Sequence, residues 1–285
     1  MGERVLVTGA SGGVGLAAVQ LALLRGAEVT GQCSLSKSAP LRGFGAKVLS
    51  RDSTPVFQSF DVVIDLHHNQ RTWRIKRALG VKAFSYKKLS IQKIILTTLG
   101  IDLLKKEHIT KRYMDTVTSL GVMDDGKGLD YFIPLHTKSV IDDLPENFKS
   151  GYVGLVIGAS YFNKKMPLEK LRTLITSIQL PIVLIGGSDD REMGVSLQES
   201  FGDRVFNACG TYCINESALF VKHAQYVVSH DTGFLHIACA FNKPTVTIWG
   251  ATTPALQFSA LYPTNSDPLT GAYEEYRKSN GGRAI

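Results

Sequence analysis

The apolar positions between residues 226 and 254 change their spacing from strand-like to helix-like and back. Residues 226–228 form a short apolar run, and the next five residues, SHDTG, carry turn and helix-capping side chains. Residues 234–241 repeat apolar side chains at helical spacing, and an Asn-Lys-Pro sequence ends that pattern. Residues 245–249 are β-branched or aromatic. This stretch therefore predicts a strand, a loop, a helix and a second buried strand.

Similar alternation runs through the rest of the chain. Residues 5–30 predict a strand, a glycine-rich loop, a helix and a second strand, and residues 60–65, 154–159 and 181–185 are typical of buried parallel strands. Together they predict an α/β fold. A polar segment at 135–151 predicts a linker, which divides the chain into domains at 1–145 and 151–265. We expect residues 266–285, rich in polar and glycine residues, to form a loosely held tail.

Composition narrows the class of protein. Hydrophobic residues make up 44% of the chain and charged residues 20%, which is ordinary for a globular protein. Neither a signal peptide nor an apolar run of the ~20 residues that span a membrane is expected. The four cysteines form no CxxC motif, which favours reduced thiols in a cytoplasmic protein and no metal site.

The net charge of +7 is concentrated in one region. Between Arg71 and Arg112 there are twelve Lys or Arg residues and two acidic residues. A concentrated basic face favours an anionic partner.

The sequence Asp231-Thr232-Gly233 stands where a helix is predicted to begin. Free backbone N–H groups and the positive end of the helix dipole make such a position a natural phosphate site. Gly233 would allow a ligand to approach closely, and Thr232 adds a hydroxyl donor. The alternative is a plain N-cap, in which Asp231 or Thr232 only satisfies backbone amides.

A second candidate nucleotide site is the glycine-rich loop with Gly9, Gly12, Gly13 and Gly15. The segment GASGGVG, and the residues after it up to about residue 60, resemble the nucleotide-binding βαβ unit of quinone oxidoreductases of the medium-chain dehydrogenase superfamily. After the second strand, no acidic residue stands where an acceptor for the ribose 2′-hydroxyl is expected, so that resemblance implies NADPH rather than NADH as the cofactor. The alternative is that these glycines only pack a helix against a sheet.

From about residue 60 to residue 262 the chain resembles a different family, and HDTGFLHIACAFNKPTVTIWGATTP is its most specific match. This segment is similar to the donor-binding segment of the ADP-heptose:lipopolysaccharide heptosyltransferases. The resemblance implies a GT-B glycosyltransferase with two Rossmann-like domains facing a cleft, the N-terminal one atypical. It also implies no cofactor. The chain is interpreted as a chimera of the two families.

The heptosyltransferase resemblance assigns candidate roles to individual residues. Lys164 would neutralise phosphate charge as the sugar–phosphate bond breaks, although the adjacent Lys165 is an alternative. Asp189, chosen over Asp190, would bind ribose hydroxyls. The predicted donor-binding residues are Ser160, Lys164, Asp189, Asp231, Thr232, Gly233, Phe234 and His236.

The acceptor side departs from the family pattern. The family's general base aligns with Gly15, which cannot accept a proton, so impaired catalysis is expected. Asp65 is the substitute base suggested by the sequence, with a strand-end structural carboxylate as the alternative. Arg71 aligns with a basic residue that faces acceptor phosphates.

Two functions from different classes follow from these resemblances. One is transfer of a sugar from an ADP-sugar, or a similar nucleotide-sugar, to an anionic glycolipid acceptor resembling the lipopolysaccharide core. That protein would be cytoplasmic or peripheral at the inner membrane surface, with no nucleic-acid partner. The alternatives are an NADPH-dependent quinone oxidoreductase and a nucleotide-binding protein without turnover.

Overall fold

The computed structural model describes residues 2–53, 60–99, 101, 103–104, 107–159, 161–250 and 259–263. The chain packs as two units that divide between Asp124 and Asp125. Within the described residues, the strands form two five-stranded sheets, one in each unit, and every strand pair is parallel. The predicted α/β fold is confirmed.

The first unit follows a strand–helix alternation in which the sheet order is β3-β2-β1-β4-β5. Its elements are β1 (Arg4–Thr8), α1 (Gly13–Leu24), β2 (Glu28–Cys33), α2 (Ala39–Gly43), β3 (Lys47–Ser50), β4 (Val62–Asp65), α3 (Gln70–Leu79), β5 (Lys82–Ser85), α4 (Ser90–Leu99) and α5 (Ile109–Met114).

The second unit repeats this topology, with the sheet order β10-β9-β6-β7-β8. Its elements are β6 (Val153–Val156), α6 (Leu168–Ser177), β7 (Ile182–Ile185), α7 (Arg191–Phe201), β8 (Val205–Asn207), α8 (Ile214–His223), β9 (Tyr226–His230), α9 (Gly233–Ala240) and β10 (Thr245–Ile248). In both sheets the first strand of the unit lies in the centre, and the chain adds strands first on one side and then on the other.

The core of the second unit lies on both faces of its sheet. Every residue of β6 and β7 is buried, as expected for central strands of a parallel sheet that is covered by helices on both sides. Along β7, Val183 packs in a cluster with Phe220 of α8, while Leu184 packs in a separate cluster with Leu171 of α6. Alternate side chains of one strand thus enter two hydrophobic layers.

The segment that the sequence assigns to a linker packs on the second sheet. Val140, Leu144 and Phe148 are buried in the same cluster as Phe220. The division by packing therefore precedes the expected boundary at residue 145, because these apolar side chains belong to the core of the second unit. The polar residues between them concealed this pattern in the sequence.

Candidate active site

The candidate site lies where the strand order of the second sheet reverses. β6 pairs with β7 on one side and with β9 on the other, so the loops after β6 and β9 emerge side by side at the carboxyl edge. Ligands of open parallel sheets bind at such a point. Lys164 lies in the loop after β6, and Asp231 follows β9 directly.

The N-terminus of α9 has the form expected of an anion site. Thr232 occupies the N-cap position in an extended conformation, and its side chain makes no capping hydrogen bond. Its Oγ1 lies 3.4 Å from Ser229 Oγ. Gly233, the first helical residue, is exposed, and no described atom lies within 4 Å of where a Cβ would be. Thr232 therefore does not act as a plain side-chain cap. In the first turn the Leu235 amide donates to the Thr232 carbonyl oxygen at 3.2 Å, whereas the amides of Gly233 and Phe234 precede the first intrahelical acceptor.

Lys164 is held beside this helix terminus by an ion pair. Its Nζ donates to Asp231 Oδ2 at 2.8 Å and lies 3.3 Å from the Asp231 carbonyl oxygen. The Lys164 and Asp231 side chains are 23% and 9% exposed, which limits screening of their charges by solvent. Behind the loop, a Cβ at Gly250 would lie 2.6 Å from the Asn163 carbonyl oxygen, so close packing fixes the loop position. An ammonium group and a helix dipole thus lie next to each other.

The neighbouring pair of Lys165 and Asp190 lies on the buried side of the same loop. Lys165 Nζ donates to Asp190 Oδ1 at 2.5 Å, and Asp190 Oδ2 accepts from the Gly187 amide at 2.9 Å. Asp190 is buried, whereas Asp189 is exposed. Lys165 and Asp190 therefore hold the loops after β6 and β7 together. Lys164 and Asp189, each one residue earlier in the chain, take no part in this ion pair.

His230 is a residue of this region that the sequence did not single out. It ends β9 and is buried, and its Nε2 accepts a hydrogen bond from the Met166 amide at 3.1 Å. Its position before Asp231 was the only sequence signal, because the contact joins residues that are far apart in the chain.

The other predicted donor residues lie on or near α9. Phe234 is half-buried and packs against the hydrophobic cluster around Phe220. His236 is half-buried, one helical turn after Thr232. Ser160 lies outside the described residues.

Asp65 occupies the corresponding strand end in the first unit, but its surroundings are those of a structural carboxylate. It is fully buried, Lys76 Nζ lies 2.7 Å from its Oδ2, and the amides of His67 and His68 donate to its Oδ1. Burial raises its pKa, but Lys76 and the hydrogen bonds outweigh that effect and hold the pKa below its ordinary value. A carboxylate in this state is a poor general base.

Arg71 lies in the first turn of α3 with its side chain exposed. Farther along the same helix, the Arg77 guanidinium lies 5.4 Å from the centre of the Trp73 ring. The basic face predicted from the sequence is thus presented to solvent here.

The glycine-rich loop lies between β1 and α1. Gly9 has a φ of +69°, and its carbonyl oxygen accepts from the Gly12 amide at 3.0 Å. A Cβ at Gly15 would overlap Gly9 O and lie 2.7 Å from Ala10 Cα. Close packing of the helix on the loop accounts for Gly15 without a ligand, and Gly13 is the first residue of α1.

The described residues contain no cluster of three or more His, Cys, Asp or Glu residues that could hold a metal ion. In the same part of the chain, no helix is long and apolar enough to cross a membrane.

Comparison with protein families gives a match over most of the chain. The model of glycosyltransferase family 9 (heptosyltransferase) matches residues 58–274. The matched range begins after β3 and contains the whole candidate site. The N-terminal segment that resembles quinone oxidoreductases lies almost entirely outside it.

Curated relatives match shorter segments. Lipooligosaccharide heptosyltransferase 2 of Haemophilus influenzae is 26% identical over 89 residues, which cover 30% of this chain and 26% of that protein. Lipopolysaccharide heptosyltransferase 2 of Escherichia coli is 22% identical over 103 residues, which cover 35% of this chain and 30% of that protein. The matched segments thus span less than a third of each relative.

Solved structures resemble the chain over nearly its whole length. A glycosyl transferase family 9 protein from Veillonella parvula aligns with a TM-score of 0.65 and 18% identity, covering 99% of this chain and 90% of that one. The E. coli heptosyltransferase WaaC, solved with ADP, aligns with a TM-score of 0.56 and 19% identity, covering 97% of this chain and 99% of that one. At these identities the likeness shows the fold.

Proposed function

Because the chain belongs to glycosyltransferase family 9, the heptosyltransferases, we propose that it binds an ADP-sugar, or a similar nucleotide-sugar, in its second unit and transfers the sugar to a lipopolysaccharide-core-like acceptor. The observation that carries this proposal is the Lys164 ammonium group beside the uncapped N-terminus of α9.

The donor diphosphate would lie against these two positive groups. Breaking the sugar–phosphate bond leaves additional negative charge on the departing nucleoside diphosphate. Lys164 and the first-turn amides of α9 would stabilise that charge, which is where preorganised electrostatics lowers a barrier most. Asp231 would hold the Lys164 side chain in position, and the exposed Asp189 would bind ribose hydroxyls.

The acceptor would supply the nucleophile. By family resemblance, its hydroxyl displaces the nucleoside diphosphate directly and inverts the anomeric centre. Gly15 carries no side chain and Asp65 is occupied by Lys76 and two amides, so neither suits the removal of the hydroxyl proton. We expect slow transfer, limited by that proton.

The exposed basic side chains of α3, which are Arg71, Arg74 and Arg77, support an anionic glycolipid as acceptor. The exposed Arg71 is the residue we assign to an acceptor phosphate, because a guanidinium group binds phosphate through two hydrogen bonds. Such a substrate would bring the protein to the cytoplasmic surface of the inner membrane as a peripheral protein.

Calorimetric titration with ADP and with NADPH tests the donor site. We expect ADP to bind the wild type, Lys164→Ala to weaken it about 10- to 100-fold through loss of a charge-assisted hydrogen bond, and Thr232→Ala a few-fold. Lys170→Ala, an exposed lysine on α6, is the control and should bind ADP as the wild type does.

Two other results would change the assignment. Binding of NADPH that ignores the Lys164 and Thr232 substitutions would make the glycine-rich loop the working site and refute the proposal. Binding of ADP, without ADP release from an ADP-sugar in the presence of an acceptor, would identify a nucleotide-binding protein without turnover.

A further inference from the structure

His230 connects the lysine-bearing loop to the strand that carries Asp231. The loop from Phe162 to Lys165 is closed by its own turn, in which the amides of Lys164 and Lys165 each donate to the carbonyl oxygen three residues earlier. Met166 follows, and its amide donates to Nε2 of His230. Pro167 has no amide hydrogen, so the Met166 bond is the last amide anchor before α6 begins at Leu168.

This hydrogen bond fixes the protonation state of the imidazole. A backbone N–H can donate only to a ring nitrogen that carries no proton. His230 is therefore neutral, with its proton on Nδ1. Nδ1 is buried and has no hydrogen-bond partner within the described residues. The Met166 amide thus selects the tautomer that carries its proton on Nδ1.

Charged groups surround this imidazole. Lys165 approaches from the loop after β6 and Asp190 from the turn after β7, and Asp231, which pairs with Lys164, is the next residue along the chain. Burial lowers the pKa of His230, and Lys165 lowers it further, while Asp190 raises it. The pKa of His230 therefore lies below its ordinary value near 6.5. A proton on Nε2 would remove the acceptor of the Met166 amide and place a cation close to Lys165.

We infer that His230 is a positioning residue that holds the Lys164 ammonium group in place through Met166, and that it does so only as a neutral imidazole. The inference rests on the proposed donor site. Acidification would release the loop, and the affinity for the donor diphosphate would fall. His230 does not need to touch the nucleotide for this effect.

Two substitutions separate the role of His230 as a hydrogen-bond acceptor from its titration. His230→Gln places an amide oxygen near the position of Nε2 and does not titrate, whereas His230→Leu fills similar space without an acceptor. At pH 7.5 we expect ADP to bind the Gln variant within about twofold of the wild type and the Leu variant about tenfold more weakly.

The pH profile distinguishes positioning from a merely structural role. ADP titrations from pH 7.5 to 5.5 should show the wild type losing affinity relative to His230→Gln, by up to about tenfold per pH unit below the pKa of His230. Titration of ADP itself is the same for both proteins and cancels in the ratio. A wild-type profile parallel to that of the Gln variant, or unchanged affinity in the Leu variant, would overturn the inference.

Imidazole ¹⁵N spectra of the ligand-free protein keep this test separate from the donor site. They should show His230 protonated on Nδ1 and not on Nε2 at pH 7.5, and a signal for Nε2–H would overturn the inference. If no ADP binds to the wild type at any pH, the proposed function fails, while the spectra still decide whether the anchor to Met166 exists.

Discussion

Gly15 stands at the position where the heptosyltransferase resemblance places the general base. It lies in the first turn of α1, where a Cβ would overlap Gly9 O and lie 2.7 Å from Ala10 Cα and 2.9 Å from Ala10 C. All three atoms belong to the backbone, so no side-chain rotation can relieve the overlap. Any substitution must move the helix away from the loop.

The magnitude for Gly15→Ala follows from two opposing effects. Replacing glycine by alanine in a helix favours folding by about 0.5–1 kcal/mol. Overpacking a close contact costs about 1–3 kcal/mol, and rigid backbone neighbours place this site at the upper end. We therefore expect a net loss of about 1–2 kcal/mol in the free energy of unfolding. Gly15→Asp should lose at least as much and gain no transfer activity, because the larger side chain meets the same atoms.

Urea denaturation followed by tryptophan fluorescence measures this loss. The chain has two tryptophans, and a Trp249→Phe background leaves Trp73 of α3 to report on the first unit. Gly43→Ala is the matched control, since it ends α2 with no described atom within 4 Å of its Cβ position; it should be neutral or slightly stabilising. A Gly15→Ala variant as stable as the Gly43→Ala variant would refute the packing argument.

Three further predictions concern buried titratable groups. Asp65→Ala should lower the free energy of unfolding by about 3 kcal/mol, because it leaves a lysine and two amides without their acceptor. The pKa of Asp65 is lowered in the folded state, so the wild type should be more stable than Asp65→Asn above about pH 4. That difference in stability should disappear as the pH falls through the lowered pKa. Asp190→Ala should lower the free energy of unfolding by about 3 kcal/mol, because it leaves Lys165 unpaired. Asp189→Ala, at the adjacent exposed residue, should stay within about 0.5 kcal/mol of wild-type stability and weaken nucleotide binding instead. Equal losses of stability in the two variants would contradict the assignment of Asp190 to structure and Asp189 to binding. The pKa of His230 is lowered on folding, so the unfolded chain binds more protons and stability should fall as the pH drops below about 6.5. Stability should fall less steeply in His230→Gln, and calorimetry at several pH values can measure the difference.

The strand, loop and helix around Asp231 could be predicted from the sequence because their signals are local. Turn residues interrupt an apolar run, and an Asn-Lys-Pro sequence stops a helical pattern within a few residues of the observed ends. The resemblance to the heptosyltransferases from about residue 60 is confirmed by the family match at residues 58–274. The resemblance of the first sixty residues to quinone oxidoreductases stays a prediction.

The choice between adjacent residues could not be made from the sequence. Lys164 and Lys165 have the same chemistry one position apart, and only the contacts of the folded loop send one to Asp231 and the other to Asp190. His230 was missed for the same reason, since its partner is the amide of Met166 on a distant loop. Residues 135–151 were interpreted as a linker because polar positions separate the apolar side chains that enter the core.

The two sheets have the same strand order, yet the points where that order reverses differ in chemistry. The helix that follows the fourth strand of each sheet explains the difference. In the first unit, Asn69 and Thr72 form a reciprocal capping box at the start of α3, with the Thr72 amide donating to Asn69 Oδ1 at 3.0 Å and the Asn69 amide to Thr72 Oγ1 at 2.9 Å. In the second unit, the N-cap of α9 makes no such bond, and the neighbouring carboxylate of Asp231 holds a lysine instead. A capped terminus has already satisfied the amides that an anion would need, whereas an uncapped one offers them. Topology alone therefore makes both edges possible ligand sites, and local capping favours the second.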